Sequence, residues 1–373
     1  MAPRSGDAPF LDESAVGSGP RSHIRLATWD DDPPVGGQGV YVRQLRTALE
    51  ERGVRISTVA GRGSSAVPYR RLTGHGPLDL SIALNVSPAP LLAGNPDLIH
   101  VSGGPGGLQI LRRPGLPVVY TAFHTFEMSH RRYKPQRWYG IIEAMSYRPA
   151  VKVIAISTST ADSLTRTGLP PERVVVIPPG VDVDRFRRSA DRGRLLVLYV
   201  GRLEPEKGPL DALAVMAQVV ADVPGASGLL VGRGSLSDEV RRRTAGLPRI
   251  SYRAEVTDDE VADLYAAADV VLVPSRFEGF GLVAVEAMAS GCAVIGYDVP
   301  GLRDAIAGRG LLVRPGDVRA MALLCRQLLE DPARRDDLGD LASASVRAEH
   351  TWSHRSAEIL DVYSEVLAGV QHR

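Results

Sequence analysis

Short β-branched apolar runs alternate with longer amphipathic stretches along most of the chain, the pattern expected of parallel strands joined by helical crossovers. Residues 24–29 read as a first buried strand, 30–39 as a loop, and the residues up to about Arg52 as an amphipathic helix. Strand-like runs return at 54–59, 98–101, 118–121, 151–156 and 174–177, which makes a Rossmann-like half. The turn-rich segment Pro178-Pro179-Gly180-Val181-Asp182 then places a hinge. The alternation restarts at 195–201 and repeats at 228–232, 249–252, 270–273, 293–296 and 310–313, predicting a second doubly wound half. Residues 352–368 read as a closing helix whose apolar stripe is Ile359, Val362, Tyr363 and Val366. Ligands bind outside the carboxyl ends of parallel strands, so a site is expected in the crevice between the halves.

Composition narrows the class without adding chemistry. A length of 373 residues suffices for two cores, and 44% hydrophobic with 23% charged residues describes a globular protein. A formal net charge of +1 argues against nucleic-acid binding by bulk electrostatics. Cys292 and Cys325 are the only cysteines, too few for a disulfide framework and without metal-site spacing, so a reducing cytoplasm is the expected compartment. Residues 1–22 are rich in Pro, Gly, Ser and Asp and lack the basic start and apolar run of a secretion signal; they are expected to form a disordered tail. No run of about 18 apolar residues is present, which removes a spanning helix and leaves peripheral membrane contact open.

The richest stretch is Glu278-Gly-Phe-Gly-Leu-Val-Ala-Val-Glu286. Val283, Val285, Ala287 and Met288 call for burial, yet Glu286 sits among them, and a buried carboxylate needs donors such as ligand hydroxyls. The backbone N–H groups of Phe280, Gly281 and Leu282, at the helix start, lack intrahelical acceptors and suit a diphosphate. A second cluster follows the strand at 195–201. Arg202 and Lys207, five residues apart, can grip both phosphates of a leaving group, the Arg as a fork and the Lys as a point charge. Gly36-Gly37-Gln38-Gly39, between the first strand and helix, allows close backbone approach to a ligand. His124 ends the run Val119-Tyr120-Thr121-Ala122-Phe123 at the carboxyl end of a predicted strand.

Together these motifs resemble the family of retaining GT-B glycosyltransferases that carry a Glu-x7-Glu motif, family 4, and the resemblance covers nearly all of the chain after about residue 23. It implies an α/β GT-B fold: two Rossmann-like doubly wound domains facing an interdomain cleft, with a C-terminal helix crossing back onto the first domain. The expected organisation is a tail at 1–22, an acceptor domain at 23–180, a nucleotide-sugar donor domain at 181–352 and the crossing helix at 353–373. By the same resemblance Glu286 receives ribose hydroxyls, Glu278 contacts the transferred sugar, Arg202 and Lys207 hold the diphosphate, and His124 touches the sugar's hydroxymethyl group. Gly37 and Gly39 match the glycine loop near the diphosphate and Gly232 the second-domain glycine turn, while Arg253 and Ala254 stand where the nucleobase is wrapped. The family commonly has Asp where Thr125 stands, Gly for Ala254, Pro for Ala293 and Glu for Asp304.

The resemblance implies transfer of a hexose or N-acetylhexosamine from a nucleoside diphosphate sugar, with UDP the expected nucleotide, to a hydroxyl of a small acceptor. Retention would proceed without a firmly placed protein nucleophile. Cations come from Arg202 and Lys207, so no metal and no resident cofactor is expected. Asp30, Asp31, Asp32 and Glu127 would give the crevice negative charge and favour an amine-bearing acceptor such as an aminocyclitol. The run from His130 to Trp138, basic with aromatics, favours instead an anionic lipid or cell-envelope acceptor. Two further readings are a hydrolysing sugar-nucleotide epimerase and a catalytically silent sugar-nucleotide-binding protein, both on the same fold. A nicotinamide dehydrogenase would need a GxGxxG with an acidic residue about 20 positions on, which the chain lacks.

Overall fold

The computed structural model describes residues 22–32, 36–72, 76–103, 108–129, 137–189 and 195–371. Two six-stranded parallel sheets form its centre. The first contains β1 (His23–Asp30), β2 (Arg55–Arg62), β3 (Leu98–Gly103), β4 (Val118–Ala122), β5 (Lys152–Ala155) and β6 (Val174–Val176), in the order β2-β1-β3-β4-β5-β6. The second contains β7 (Leu196–Val200), β8 (Ser227–Val231), β9 (Ile250–Arg253), β10 (Val270–Val273), β11 (Ala293–Tyr297) and β12 (Leu311–Val313), in the order β12-β11-β10-β7-β8-β9. The central strands β3, β4, β10 and β11 are buried along their whole length. Helices cover both faces of a parallel sheet, which is why these strands read as unbroken apolar runs rather than alternating ones.

In each sheet the strand order reverses once, between β1 and β3 and between β7 and β10, and a crevice opens at the strands' carboxyl ends at such a point. The loops after β1 and β7 therefore face the cleft. One glycine expectation changes here. The first helix spans Gly37–Glu51, so Gly37 and Gly39 lie in its first turn and only Gly36, extended at φ −149°, precedes it. The absent Cβ at Gly37 would stand 4.0 Å from Leu282 of the other domain. A Cβ would be accommodated there in ordinary contact, so packing alone does not demand glycine at this helix end.

The chain crosses between domains twice at one place. Val181 donates its amide to His350 O at 2.6 Å and forms a bridge with Thr351, and a Cβ on Gly180 would stand 2.7 Å from the Trp352 backbone. From there the last helix, Trp352–Gln371, runs back over the first domain with Ile359, Val362, Tyr363 and Val366 buried, as its periodicity predicts. Arg52 reaches Ser356 Oγ at 2.8 Å and Ser353 O at 2.6 Å, Tyr363 Oη bonds the fully buried His100, and Lys152 pairs with Glu365 at 2.8 Å. One apolar core runs from the second domain through this helix to one face of the first sheet, and a smaller cluster fills the other face. Among the described residues no helix is long and apolar enough to cross a membrane.

Candidate active site

A cavity of about 620 Å³ opens between the domains. The first domain contributes Gly36, Gly37, Gln38, Phe123 and His124 to its wall, and the second contributes Arg202, Lys207 and the stretch from Phe277 to Val283. Four chemistry-bearing residues separated by up to 154 positions thus meet across one space: His124, Arg202, Lys207 and Glu278. Lys207 Nζ lies 2.7 Å from Glu278 Oε1, both side chains mostly covered, while Arg202 is largely exposed and touches Glu206 at 3.3 Å.

The loop that carries both cations is held by backbone contacts more than by its own side chains. Gly208, at φ +65°, lets the chain turn where a Cβ would stand 2.2 Å from Pro274 O. Gly232 packs against Gly201 O, and Leu203 donates its amide to Arg233 O at 2.7 Å. The amide of Arg276 reaches Glu206 O at 2.8 Å, tying this loop to the one bearing Glu278. Beneath it, Tyr199 Oη lies 3.0 Å from Arg202 O and 3.4 Å from Lys207 O.

His124 stacks edge-on against Phe277 of the other domain, centroids 5.3 Å apart. Burial pushes its pKa down to about 4, with Lys207 and Arg202 adding to the fall and Glu278 opposing it. The imidazole is therefore neutral at physiological pH, a hydrogen-bonding group rather than a third cation. The backbone turns at Gly281, φ +110°, into the helix Leu282–Ala289, which buries Ala284, Val285, Ala287 and Met288. Phe280, Gly281 and Leu282 stand at its start, on the cavity wall.

Glu286 opens instead on a neighbouring cavity of about 170 Å³, with Arg43, Arg185, Asp258 and Trp352, and Leu282 borders both spaces. Burial raises its pKa to about 7, against a hydrogen bond from Tyr265 Oη at 3.3 Å and the charge of Arg185. A carboxyl held near its ionisation point needs the hydroxyl donors of a ligand more than an exposed one would.

Other sequence-predicted groups stand apart from the main cavity's described wall. Gly39 is one residue deeper in the first helix, Gly232 lies behind Gly201, and Arg253 and Ala254 follow at the carboxyl end of β9. The acidic residues are engaged within the first domain. Asp30 pairs with Arg62 at 3.2 Å and accepts from the Gly36 amide, buried Asp31 pairs with Arg46 at 3.0 Å, and Asp32 lies 4.0 Å from the same Arg46. Glu127 accepts from Arg166 at 3.0 Å and Ser163 at 2.6 Å. They therefore do not give the cavity the negative wall that the sequence led us to expect, because each carboxylate has nearer partners on its own domain. Most of the basic–aromatic run, residues 130–136, lies outside the described residues. Tyr199 and Phe277 were not singled out from the sequence; they look like a strand residue and a loop residue until the neighbouring loops are in place. Among the described residues no three His, Cys, Asp or Glu side chains converge as a metal-binding group.

Two doubly wound domains, a crossing terminal helix, and an interdomain cavity with paired cations and carboxylates define a GT-B glycosyltransferase. Comparison with known proteins makes the assignment specific. Residues 35–185 match the family model for Glycosyltransferase Family 4, and residues 194–331 match that for Glycosyl transferases group 1. The chain is 31% identical to the D-inositol 3-phosphate glycosyltransferase of Thermobispora bispora, over 91% of each protein. Among solved structures it resembles a sucrose-phosphate synthase from Thermosynechococcus elongatus (TM-score 0.73, 23% identity, 94% of this chain and 100% of that one). It also resembles the Anabaena protein HepE in complex with UDP (TM-score 0.68, 20% identity, 92% and 100%). The chain belongs to glycosyltransferase family 4.

Proposed function

We propose that the protein is a retaining, metal-independent glycosyltransferase that moves a hexose or N-acetylhexosamine from a UDP-sugar to a hydroxyl of a small polyhydroxylated acceptor. The observation that carries this reading is the convergence of Arg202, the Lys207–Glu278 pair and neutral His124 on one interdomain cavity. As the glycosidic bond breaks, negative charge grows on the distal phosphate, and cations already fixed in place stabilise that state more than the ground state. Lys207, held by Glu278, lies where phosphate and transferred sugar meet. The departing phosphate takes the acceptor's proton, so neutral His124 serves as a hydrogen-bonding wall of the sugar site. Glu286, in the adjoining space, receives the ribose hydroxyls. Domain closure excludes water.

Support for UDP comes from the ligand named for HepE, and support for a small polyol from the substrate named for the Thermobispora relative. An amine-bearing acceptor loses its support because Asp30, Asp31 and Glu127 are paired within their own domain. A thermal-shift screen of UDP-, GDP-, ADP- and dTDP-sugars tests the reading, since a ligand that prefers the folded state raises its midpoint. The largest rise is expected with a UDP-sugar and a smaller one in Glu286→Ala. No rise with any nucleotide sugar would end the proposal.

A further inference from the structure

The helix Thr158–Arg166 of the first domain has its amino end on the seam with the second domain. Its own cap, Ser157, accepts from the Thr160 amide at 3.1 Å and leaves the Ser159 amide to find another acceptor. That acceptor comes from the other domain: Asp304 Oδ2 takes the Ser159 amide at 2.9 Å and the Ser159 hydroxyl at 2.7 Å. A carboxylate at a helix amino end is favoured by the helix dipole as well as by the two hydrogen bonds.

Asp304 sits on the short helix Pro300–Ile306, which underlies the loop bearing Glu278. A Cβ on Gly301 would stand 2.3 Å from Glu278 O, and Leu302 packs 2.9 Å from the Cβ position of Gly281. Gly279 in turn lies against the first domain, its missing Cβ 2.2 Å from Phe123 O, next to His124. Backbone contacts too close for any side chain to intervene therefore run from the Asp304 helix through the Glu278 loop to the strand end carrying His124. A shift at one end is transmitted to the other, because close-packed contacts do not deform freely.

We infer that Asp304 is a positioning residue, a cross-domain latch that caps Ser159 and so sets the Glu278 loop against His124 when the cleft closes. The latch rests on the glycosyl-transfer reading for its effect on rate, while its formation does not. Closure makes the two hydrogen bonds and opening returns both partners to water, so the latch favours the closed state without locking it. Asp304 does not line the cavity and acts through the Glu278 loop, so its loss is expected to fall on turnover more than on nucleotide affinity.

The test compares Asp304→Ala, Asp304→Asn and Ser159→Ala with the parent in amide hydrogen exchange at Ser159, UDP titration calorimetry and transfer kinetics. In Asp304→Ala, Ser159 exchanges faster and kcat falls about tenfold, with the UDP Kd within about twofold of the parent. Asp304→Asn, which keeps an acceptor oxygen, recovers most of the rate. Ser159→Ala keeps the backbone arm and loses about threefold; it carries the test if Asp304→Ala does not fold. Unchanged exchange at Ser159, an unchanged kcat, or an equal loss of UDP affinity overturns the latch. A parent that binds no UDP sinks the transfer reading instead, and the exchange measurement then still decides whether the latch forms.

Discussion

The two halves share a fold and hold their functional groups in opposite ways. The second domain fixes Lys207 and Glu278 by an ion pair at 2.7 Å, and holds the backbone of the loop that carries Arg202 by glycines touching neighbouring loops. The first domain presents to the same cavity a helix start without side chains at Gly36 and Gly37, together with Gln38, Phe123 and His124. Its acidic side chains are turned into internal pairs. On the proposed reading, a diphosphate with its one charge pattern would reward a rigid cradle, whereas acceptors of differing shape would be met by the loops at the strand ends. Under the proposed function, that asymmetry would give the donor to the second domain and the acceptor to the first.

Removing the rigid side of the cleft has the largest expected effect. Lys207→Ala and Arg202→Ala should each lower kcat by about 10²–10³, measured in steady-state transfer assays with a UDP-sugar. Lys207→Ala also strands Glu278 without its partner. Equal kcat values in variant and parent would show that the cations play no part in the departure of the nucleotide.

Glu286 sharpens the comparison through pH. Its carboxyl is raised from the ordinary value of 4.5 to about 7 by burial, so between these values the folded protein binds more protons than the unfolded chain. Its contribution to stability is therefore greatest at low pH and declines as pH rises from about 4.5 to about 7, where the buried charge must form. Relative to Glu286→Gln, which stays neutral, the parent's thermal midpoint should fall across that window. Parallel midpoints in both proteins from pH 5 to 8 would remove the buried carboxylate as the cause. UDP affinity should drop in Glu286→Gln by about tenfold, the loss of a charge-assisted hydrogen bond to ribose.

The smallest effect is expected on the first domain's acidic side. Glu127, about half exposed and paired with Arg166, should leave the acceptor KM within about twofold and stability within about 0.5 kcal/mol when changed to Gln. A tenfold rise in acceptor KM would restore this residue to the acceptor site and undo the contrast between the halves.

The strands were legible because a parallel sheet covered on both faces demands continuous apolar runs. The last helix was legible from Ile359, Val362, Tyr363 and Val366. Less visible was the start of the first helix, since Gly36-Gly37-Gln38-Gly39 reads as a loop by composition. In the structure helical hydrogen bonding already begins there, the Val40 amide donating to Gly36 O at 3.1 Å, so Gly37, Gln38 and Gly39 lie inside the first turn. The three aspartates at the end of β1 and just after it misled because charge is visible in a sequence, but the Arg46 and Arg62 that absorb it are brought there by the helix and by β2.

By itself the sequence determined the alternation of elements, the two doubly wound halves, and the residue types able to bind a diphosphate and sugar hydroxyls. Those follow from periodicity and side-chain chemistry, which are local. Only the tertiary structure decided that Lys207 pairs with Glu278, that Glu286 opens on a separate space, that His124 is held neutral against Phe277, and that Asp304 caps a helix of the other domain. Each of these depends on desolvation or on contact between residues far apart in the chain, and neither is set until both sheets and the crossing helix have packed.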